Sequence, residues 1–585
     1  MLKTLWIHIS SRRQKQFWLL LILMIIASLS EIISVGAVLP FLGVLSSPEQ
    51  VYQHPLMQPL IEILELSEPS QLILPVTIIF IVAALLGGTI RLGLLYAMTR
   101  LSYATGADLS INIYRRTLYQ EYAVHVSRNS SEVINGIITK TNTVISGVIA
   151  PVLNLISSII LLIGIMGALF AISVSVALTA SIGFGLLYWL VILYTKNQIK
   201  NNSRIIADES TQMIKSLQEG LGGIRDVLID SSQQFYCQLY RNSDLPFRRA
   251  AGNNQFIGAS PRFVMEALGM ALIAGLAYVM SLQEGGMDVA IPILGALALG
   301  AQKLLPVLQQ AYGSYSTLNG AKSSFNDVLA LLEQPLPEYA NQPAPIPIPF
   351  EKEIKLKNLS YRYTKDTPWV LKNINLSLKK GARIGFIGAT GSGKSTLLDV
   401  IMGLLTPTNG ELIIDQQVLN TQNLKAWQSH ISHVPQNIYL SDSTIAENIA
   451  FGVPKEHIDY KQVEKAAQQA QIEEMIELWK DGYQTRVGER GVRLSGGQRQ
   501  RIGISRALYK HANVLIFDEA TSALDNDTEH AVMEAIQSLG RDLTILIIAH
   551  RTTTLKDCDT IVKLDKNNQI KIIDYEEVLN SDIRK

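Results

Sequence analysis

The sequence has few cysteines and few charged residues for its length. It has 585 residues and two cysteines, Cys237 and Cys558, which cannot form a disulfide framework. Charged residues make up 17 % of the chain and hydrophobic residues 48 %, whereas soluble domains average about 25 % charged residues. This composition excludes a disordered chain and disfavours a wholly soluble protein. The formal net charge of +1 argues against a nucleic-acid-binding protein that acts through bulk electrostatics.

Apolar residues are concentrated before residue 325. Six stretches there are long enough to span a bilayer, which takes about 20 apolar residues in a helix. They cover roughly residues 16–45, 71–99, 144–171, 173–195, 261–282 and 286–312. The alternative, buried helices of a large soluble protein, would need six such helices in one region and is disfavoured. We expect an all-α membrane domain with six spans over residues 1–332.

The loops between the predicted spans differ in their basic residues. The N-terminal segment and the connections 100–143 and 196–260 carry Lys and Arg, whereas the loop 46–70 carries neither. The charges in the loop between the fifth and sixth spans are Glu284 and Asp288. Because basic loops stay on the cytoplasmic side of a membrane, we expect both chain ends in the cytoplasm.

The two basic connections, 100–143 and 196–260, are long and polar and lack strong turn-forming runs, which is typical of amphipathic helices. At 1.5 Å per residue, about 20 residues in each direction extend about 30 Å from the membrane. We expect two cytoplasmic helical hairpins that dock on another part of the protein through residues 114–122 and 216–230. The alternative is a pair of solvated surface helices.

A proline-rich segment follows the membrane domain. Six prolines lie within residues 333–350, a density that favours an extended spacer over a helix. We place the domain boundary in this segment. Residues 351–585 then alternate short β-type runs with helical patterns, which is typical of an α/β domain.

A phosphate-binding motif opens the α/β domain. Residues 388–395 read Gly-Ala-Thr-Gly-Ser-Gly-Lys-Ser and match the pattern G-x-x-x-x-G-K-[ST] between a β-type run and a predicted helix. Glycines let backbone N–H groups face phosphate oxygens, and a helix N-terminus favours anions. We expect Lys394 to reach the β- and γ-phosphates of a nucleotide and Ser395 to ligate Mg²⁺.

A pair of acids follows a second β-type run. The apolar residues 514–517 precede Asp518 and Glu519. Paired acids after a strand often cap a helix, but the upstream phosphate-binding loop favours a catalytic role. We expect these acids beside the loop that ends the neighbouring strand, with Asp518 as a ligand of Mg²⁺ and Glu519 as the general base for water.

The segment between these motifs reads Leu-Ser-Gly-Gly-Gln-Arg-Gln-Arg over residues 494–501. The sequence LSGGQ and the order of the motifs resemble the nucleotide-binding domain of ATP-binding-cassette (ABC) transporters. The resemblance covers the whole C-terminal domain. It implies a multidomain protein in which an all-α transmembrane domain precedes an α/β P-loop ATPase that uses ATP and Mg²⁺.

The resemblance also assigns residues outside the three motifs. Tyr363 resembles the aromatic residue that stacks on adenine, Gln436 the glutamine that touches Mg²⁺ and the membrane domain, and His550 the histidine on the γ-phosphate. The implied catalytic residues are Glu519 and His550, and the implied metal ligands are Ser395, Gln436 and Asp518. The implied ATP-binding residues are Tyr363, Gly388, Thr390, Gly391, Ser392, Gly393, Lys394, Ser395, Thr396, Gln436, Ser495, Gly497, Gln498 and Asp525.

Two nucleotide-binding domains pair head to tail in this family, with ATP between the phosphate-binding loop of one and the signature of the other. The resemblance therefore implies that Ser495 and Gly497 contact ATP across a dimer. It implies a half-transporter that forms a homodimer with two hydrolytic sites; pairing with a similar half-transporter is the alternative. Six spans ahead of the ATPase, long inner hairpins and the segment 485–491 resemble the exporter architecture.

Three cations interrupt the predicted spans near their cytoplasmic ends, namely Arg91, Arg262 and Lys303. Charges within a membrane are costly and tend to face a cavity or a partner, so these three could bind a phosphate or pyrophosphate headgroup. Glu31 and Glu266 are potential internal partners. The alternative is that the cations anchor their helices at the membrane interface.

The residues 31–41 and these charged positions resemble the bacterial flippases of polyprenyl-pyrophosphate-linked oligosaccharides, with Lys303 in place of an arginine. The resemblance implies an ATP-driven flippase for a lipid-linked saccharide or similar anionic lipid. It implies a bacterial-type inner membrane location, a cytoplasmic ATPase and no nucleic-acid partner. A multidrug, general lipid or peptide exporter is the main alternative. An ATPase that gates a partner channel is a third hypothesis.

Overall fold

The computed structural model describes residues 2–46, 48–172, 174–281, 286–343, 345–519, 524, 526–537, 542–549, 552–565 and 569–582. Many side chains between 168 and 184 and between 272 and 303, including that of Lys303, lie outside this description. The chain divides into two compact units. One unit contains residues 1–120 and 128–336, and the other contains residues 121–127 and 337–585.

All secondary-structure elements described in the first unit are helices. The helices up to residue 332 are α1 (Leu2–His8), α2 (Ser11–Gly36), α3 (Val38–Ser46), α4 (Pro48–Tyr52), α5 (Gln58–Ile63), α6 (Ile73–Leu118), α7 (Tyr122–Ser127), α8 (Ser130–Asn135), α9 (Thr141–Val144), α10 (Ala150–Ile172), α11 (Val174–Gly222), α12 (Ile224–Ile229), α13 (Gln233–Ser281), α14 (Gly286–Gly320) and α15 (Lys322–Leu332). Of these, α7 belongs to the second unit. Two π-helical turns, Gly136–Lys140 and Ile145–Ile149, flank α9.

Three helical stretches in the described part of the chain are long and apolar enough to cross a membrane, namely Ser11–Ile33, Pro69–Leu118 and Ser130–Gly167. The second of them contains the predicted span 71–99, and the other two overlap the predicted spans 16–45 and 144–171. The other three predicted spans fall in α11, α13 and α14, where many apolar side chains lie outside the description.

Close packing between α2 and α10 depends on a glycine. A Cβ atom on Gly164 would lie 2.4 Å from Cδ1 of Ile32, so a small residue here allows the two helices to approach each other. Nearby, the hydroxyl of Ser28 donates a hydrogen bond of 3.4 Å to the carbonyl of Ile160. The first span is thereby packed against the third.

The helices of the first unit extend well past the predicted spans. Helix α6 continues to Leu118, and α11 runs to Gly222, where the short helix α12 leads into α13. The predicted docking segment 114–122 covers the end of α6 and overlaps, at residues 121 and 122, the segment that belongs to the second unit. The other predicted docking segment, 216–230, covers the end of α11 and all of α12.

The second unit has two β-sheets. Its strands are β1 (Glu353–Tyr361), β2 (Leu371–Lys379), β3 (Arg383–Gly388), β4 (Asn409–Ile414), β5 (Gln417–Val418), β6 (Ile431–Val434), β7 (Val514–Asp518), β8 (Thr544–Ile548), β9 (Thr560–Leu564) and β10 (Ile570–Ile573). An antiparallel sheet has the order β2-β1-β4-β5, and a larger sheet has the order β10-β9-β3-β8-β7-β6. Within the larger sheet, all pairings are parallel except that of β9 with β10.

The helices of the second unit complete an α/β fold. They are α16 (Lys394–Ile401), α17 (Leu424–Gln428), α18 (Ile445–Ile449), α19 (Tyr460–Gln469), α20 (Glu473–Glu477), α21 (Gly496–Tyr509), α22 (Asn526–Gln537) and α23 (Tyr575–Asp582). The central strands are continuous apolar runs because a parallel sheet is covered on both faces; Phe386 and Ile516 are fully buried. The predicted fold class, an all-α domain followed by an α/β domain, is confirmed.

Candidate functional site

The predicted phosphate-binding loop leaves the carboxyl end of β3 and enters α16. Its backbone requires glycine at two positions. Gly388 has φ 156°, and a Cβ atom there would lie 2.6 Å from the carbonyl oxygen of Leu564. Gly393 has φ 93°, and its Cβ atom would lie 2.9 Å from the carbonyl oxygen of Val370. The loop therefore packs closely against the backbone at the end of β9 and just before β2.

The ammonium group of Lys394 lies inside this loop. Its Nζ atom donates hydrogen bonds of 2.9 Å to the carbonyl of Gly388 and 3.2 Å to that of Ala389. The Oγ atom of Ser392 is buried and has no hydrogen-bond partner among the described residues. A buried cation and a buried hydroxyl beside the loop glycines are suited to a phosphate group, and phosphate binding by this loop stays a prediction.

The two predicted acids end strand β7, but that strand is not adjacent to β3. Strand β8 lies between them, so the expectation of neighbouring strands was wrong. A single sequence gives the order of strands along the chain, and this order does not determine their order in the sheet. All three strands are parallel, so their carboxyl ends still meet at one edge of the sheet.

Glu519 is held in this position by two hydrogen bonds. Its backbone N–H donates to the carbonyl of Ile548 at the end of β8, over 3.2 Å. The side-chain amide of Gln436 donates to its Oε2 atom over 2.6 Å. Its φ of 52° lies in the left-handed region, a conformation that costs energy for a residue with a side chain. The structure thus brings together two predicted site residues that are 83 positions apart.

Two titratable residues near this edge were not predicted. Burial and the charge of Asp518 raise the pKa of Asp399, on α16, to about 6. Burial lowers the pKa of His433, on β6, to about 4. Asp399 follows Ser395 by one helical turn and therefore lies on the same face of α16. This spacing in the sequence could have indicated that Asp399 is near the site.

Tyr363 is half exposed, as a residue that stacks on a nucleotide base would be. Its hydroxyl lies 3.2 Å from Oγ1 of Thr396, and its ring packs edge-on against Tyr361 with centroids 5.2 Å apart. Tyr122, on the inserted helix α7, belongs to the same unit. Burial and the charges of Asp399 and Tyr363 raise the pKa of Tyr122.

The signature begins helix α21 with a capping box. The N–H of Gln498 donates to Oγ of Ser495 over 3.2 Å, and the N–H of Ser495 donates to Oε1 of Gln498 over 2.7 Å. Ser495 is exposed and Gly497 is partly buried at this helix start. An exposed helix N-terminus is suited to bind an anion.

Several predicted residues cannot be placed. His550 and Asp525 lie outside the described residues, and so does the side chain of Lys303. Strand β8 ends at Ile548, between the ends of β3 and β7.

Comparison with known proteins places both units in one family. The family described as "ABC transporter transmembrane region" matches residues 17–293, and the family described as "ABC transporter" matches residues 371–522. An ATP-dependent lipid A-core flippase of Alkalilimnicola ehrlichii is 31 % identical over 409 residues, which are 68 % of this chain and 67 % of the relative. The chain belongs to the ABC transporter family. The resemblance noted in the sequence is confirmed.

Other relatives of this ABC transporter agree. A lipid A-core flippase of Saccharophagus degradans is 40 % identical over 227 residues, covering 39 % of this chain and 38 % of the relative. A solved bacterial Atm1-family ABC exporter with ATP bound has a TM-score of 0.77 at 21 % identity and covers 98 % of this chain and 96 % of that one. The chain therefore has the ABC exporter fold and is a multi-pass membrane protein. It is an exporter that binds ATP and an ATP-hydrolysing translocase.

Two of the three predicted substrate cations, Arg91 and Arg262, have acidic partners among the described residues. Nη1 of Arg91 lies 3.3 Å from Oε2 of Glu31; the Glu31 side chain is 9 % exposed and that of Arg91 57 %. Nε of Arg262 donates to Oε1 of Glu266, one turn further along α13, over 2.7 Å. Both internal partners considered for the cations are thus in contact with them.

Proposed function

We propose that this transporter is a flippase that moves a lipid-linked saccharide or similar anionic lipid from the cytoplasmic leaflet outward. The relatives that it matches over about two thirds of their length carry the name of a lipid flippase, and this observation carries the proposal. The cations Arg91 and Arg262 are exposed within a predominantly apolar domain, where they could contact a phosphate headgroup. Lys303 is the third candidate.

The ATPase cycle would use two copies of the chain. We propose a homodimer in which each phosphate-binding loop and Tyr363 bind one ATP, and Ser495 and Gly497 of the second copy close over it. The exposed start of α21 supports this role because the capping box uses the N–H groups of Ser495 and Gln498 but not those of Gly496 and Gly497, which can face an anion. Two hydrolytic sites would result.

The residues at the carboxyl edge of the sheet fit a hydrolytic site. Ser395, Gln436 and Asp518 would hold Mg²⁺, which would neutralise phosphate charge. Glu519 would accept a proton from water, and Gln436 fixes the direction of its carboxylate by the hydrogen bond of 2.6 Å. His550 is the candidate contact to the γ-phosphate.

We propose that the transporter resides in a bacterial-type inner membrane with its ATPase unit in the cytoplasm. The distribution of Lys and Arg supports this orientation: the N-terminal segment and the connections 100–143 and 196–260 are basic, and the loop 46–70 has neither residue.

Sealed liposomes with purified protein test the proposal. A fluorescent polyprenyl-pyrophosphate oligosaccharide would be followed by ATP-dependent loss of its accessibility in one leaflet, with Glu519→Gln as the inactive control. Movement with the wild type and none with the variant supports the flippase. Robust ATP hydrolysis without movement of this lipid would overturn the proposed substrate class.

A second candidate, an exporter of hydrophobic drugs, general lipids or peptides, is favoured by one observation. Arg91 and Arg262 both contact carboxylates, which reduces the net positive charge available to an anionic headgroup. Transport of hydrophobic cations should survive Arg91→Gln and Arg262→Gln, whereas flipping of an anionic lipid should fall. Vectorial transport by the purified protein alone would exclude a channel regulator.

A further inference from the structure

A groove of about 630 Å³ lies in the first unit between α2 and α6. One wall comes from a single face of α2, with Arg13, Gln16, Leu19 and Leu23 at helical spacing. The facing wall of α6 includes Arg100 and Tyr103. The groove therefore combines cations, an amide and a phenol with an apolar end formed by leucines.

The two cations of the groove have different surroundings. Arg13 forms an ion pair with Asp108, with Nε 2.9 Å from Oδ2, and donates from Nη1 to Oε1 of Gln16 over 3.0 Å. Arg100 is exposed, and no described carboxylate forms an ion pair with it. Asp108 lies eight residues after Arg100 along α6, which corresponds to about 12 Å. Because Asp108 is this far away and pairs with Arg13, it does not compensate the charge of Arg100.

The depth of Arg100 makes this charge notable. The predicted second span ends at residue 99, so Arg100 follows it directly. Across the groove from Arg100, the lining face of α2 includes Leu19 and Leu23. A cation at the edge of a hydrocarbon layer is costly unless it reaches water or an anion. An anion with an apolar tail would pair its charge with Arg100 and bury its tail against Leu19 and Leu23.

We infer that this groove binds one anionic phospholipid of the surrounding bilayer, with the phosphate on Arg100 and an acyl chain along Leu19 and Leu23. Gln16, Tyr103 and the remaining N–H groups of Arg13 would contact the rest of the headgroup. A guanidinium has five N–H donors, and three of those of Arg13 are used by Asp108 and Gln16. The lipid is a resident of the membrane and is distinct from the transported substrate; its assignment to the cytoplasmic leaflet rests on the proposed orientation.

Native mass spectrometry of the full-length protein in detergent tests this site. The protein would be titrated with phosphatidylglycerol or with phosphatidylcholine of the same acyl chains. The wild type should hold one phosphatidylglycerol more tightly than phosphatidylcholine. A basic residue near a membrane surface contributes about 1 kcal/mol to anionic lipid binding, so Arg100→Gln should lower the affinity of this site about fivefold.

Two further variants make the result specific. Arg12→Gln also removes one positive charge, at the start of α2, but Arg12 does not line the groove, so the affinity of this variant for phosphatidylglycerol should match that of the wild type. Arg100→Lys keeps the charge and should retain the preference for phosphatidylglycerol. Equal affinities in Arg100→Gln and Arg12→Gln, or no preference for the anionic lipid in the wild type, would overturn the inference. The measurement needs no ATP or transport, so its failure is distinguishable from failure of the flippase proposal.

Discussion

The side-chain amide of Gln436 donates a hydrogen bond of 2.6 Å to Oε2 of Glu519. The two residues follow adjacent strands, β6 and β7, so the contact links the ends of both strands at the edge of the sheet that carries the phosphate-binding loop. A carboxylate that is fixed in this way is oriented before any substrate arrives, which is the requirement for a general base.

Glu519→Gln should abolish ATP turnover and preserve ATP binding. The amide oxygen of glutamine can still accept the hydrogen bond from Gln436, so the shape of the site is retained while the proton acceptor is lost. Because general-base catalysis contributes about 100-fold or more, steady-state hydrolysis should fall at least that far. Binding of a fluorescent ATP analogue should be unchanged, and the proposed homodimer should accumulate in its closed form.

The matched control for this change is Glu411→Gln, at an exposed position on β4. It should hydrolyse ATP at the wild-type rate. An ordinary hydrolysis rate in Glu519→Gln would show that another group accepts the proton.

Gly393→Ala should impair the phosphate-binding loop more than Gly391→Ala. Both glycines have positive φ angles, 93° and 83°, so both substitutions carry a conformational cost of about 1–2 kcal/mol. A Cβ atom at Gly393 would also lie 2.9 Å from the carbonyl of Val370, whereas none of the described atoms lies within 4 Å of one at Gly391. Thermal unfolding without nucleotide measures the difference, and equal losses would contradict the packing argument.

The buried imidazole of His433 predicts a loss of stability in acid. Burial lowers its pKa to about 4 in the folded state, while an unfolded histidine has a pKa of about 6.5. The unfolded chain therefore binds this proton first, and stability should fall as the pH decreases from about 6.5 towards 4. At pH 5.5 the expected loss is about 1 kcal/mol.

Removal of the imidazole should reduce this pH dependence. The thermal midpoint of His433→Asn should decrease less between pH 7 and pH 5.5 than that of the wild type. His457→Asn, at an exposed position, serves as the control and should follow the wild type. Identical pH profiles for the wild type and His433→Asn would contradict the assignment.

The ion pair of Arg91 with Glu31 predicts a compensating double variant. Arg91→Ala removes a cation that contacts a carboxylate with 9 % exposure, and we expect the free energy of unfolding to fall by about 1–3 kcal/mol because a buried acceptor loses its hydrogen-bond partner. The double variant Arg91→Ala with Glu31→Gln should regain most of the thermal stability. If the double variant regains its thermal stability but still does not flip the lipid, the result would indicate that Arg91 contacts the substrate in addition to stabilising the fold.

The fold class and the phosphate-binding loop could be predicted because they depend on local patterns. Apolar length determines a span, and the glycines of 388–393 allow backbone angles that few other residues adopt. The contact of Gln436 with Glu519 could not be predicted from composition or periodicity, since it depends on the order of strands in the sheet. The resemblance placed both residues at the site without indicating that they touch.

The environment of isolated charges was predictable only in part. Glu31, in the first span, and Glu266, one turn after Arg262, were considered as internal partners of the cations, and Glu31 contacts Arg91 while Glu266 contacts Arg262. The ion pair of Arg13 with Asp108 joins residues that are 95 positions apart in the sequence. Such a contact depends on how the helices pack against each other, which the sequence pattern does not show. The raised pKa of Asp399 likewise depends on how deeply its side chain is buried. The spacing of apolar residues in a helix predicts such burial only approximately.

Residues 121–127 belong to the unit that contains the ATPase, although the chain on either side belongs to the helical unit. The polypeptide therefore passes from one unit to the other at 120–121, 127–128 and 336–337. The two units are therefore connected covalently three times, and a single proteolytic cut in the proline-rich segment would leave two of these connections intact.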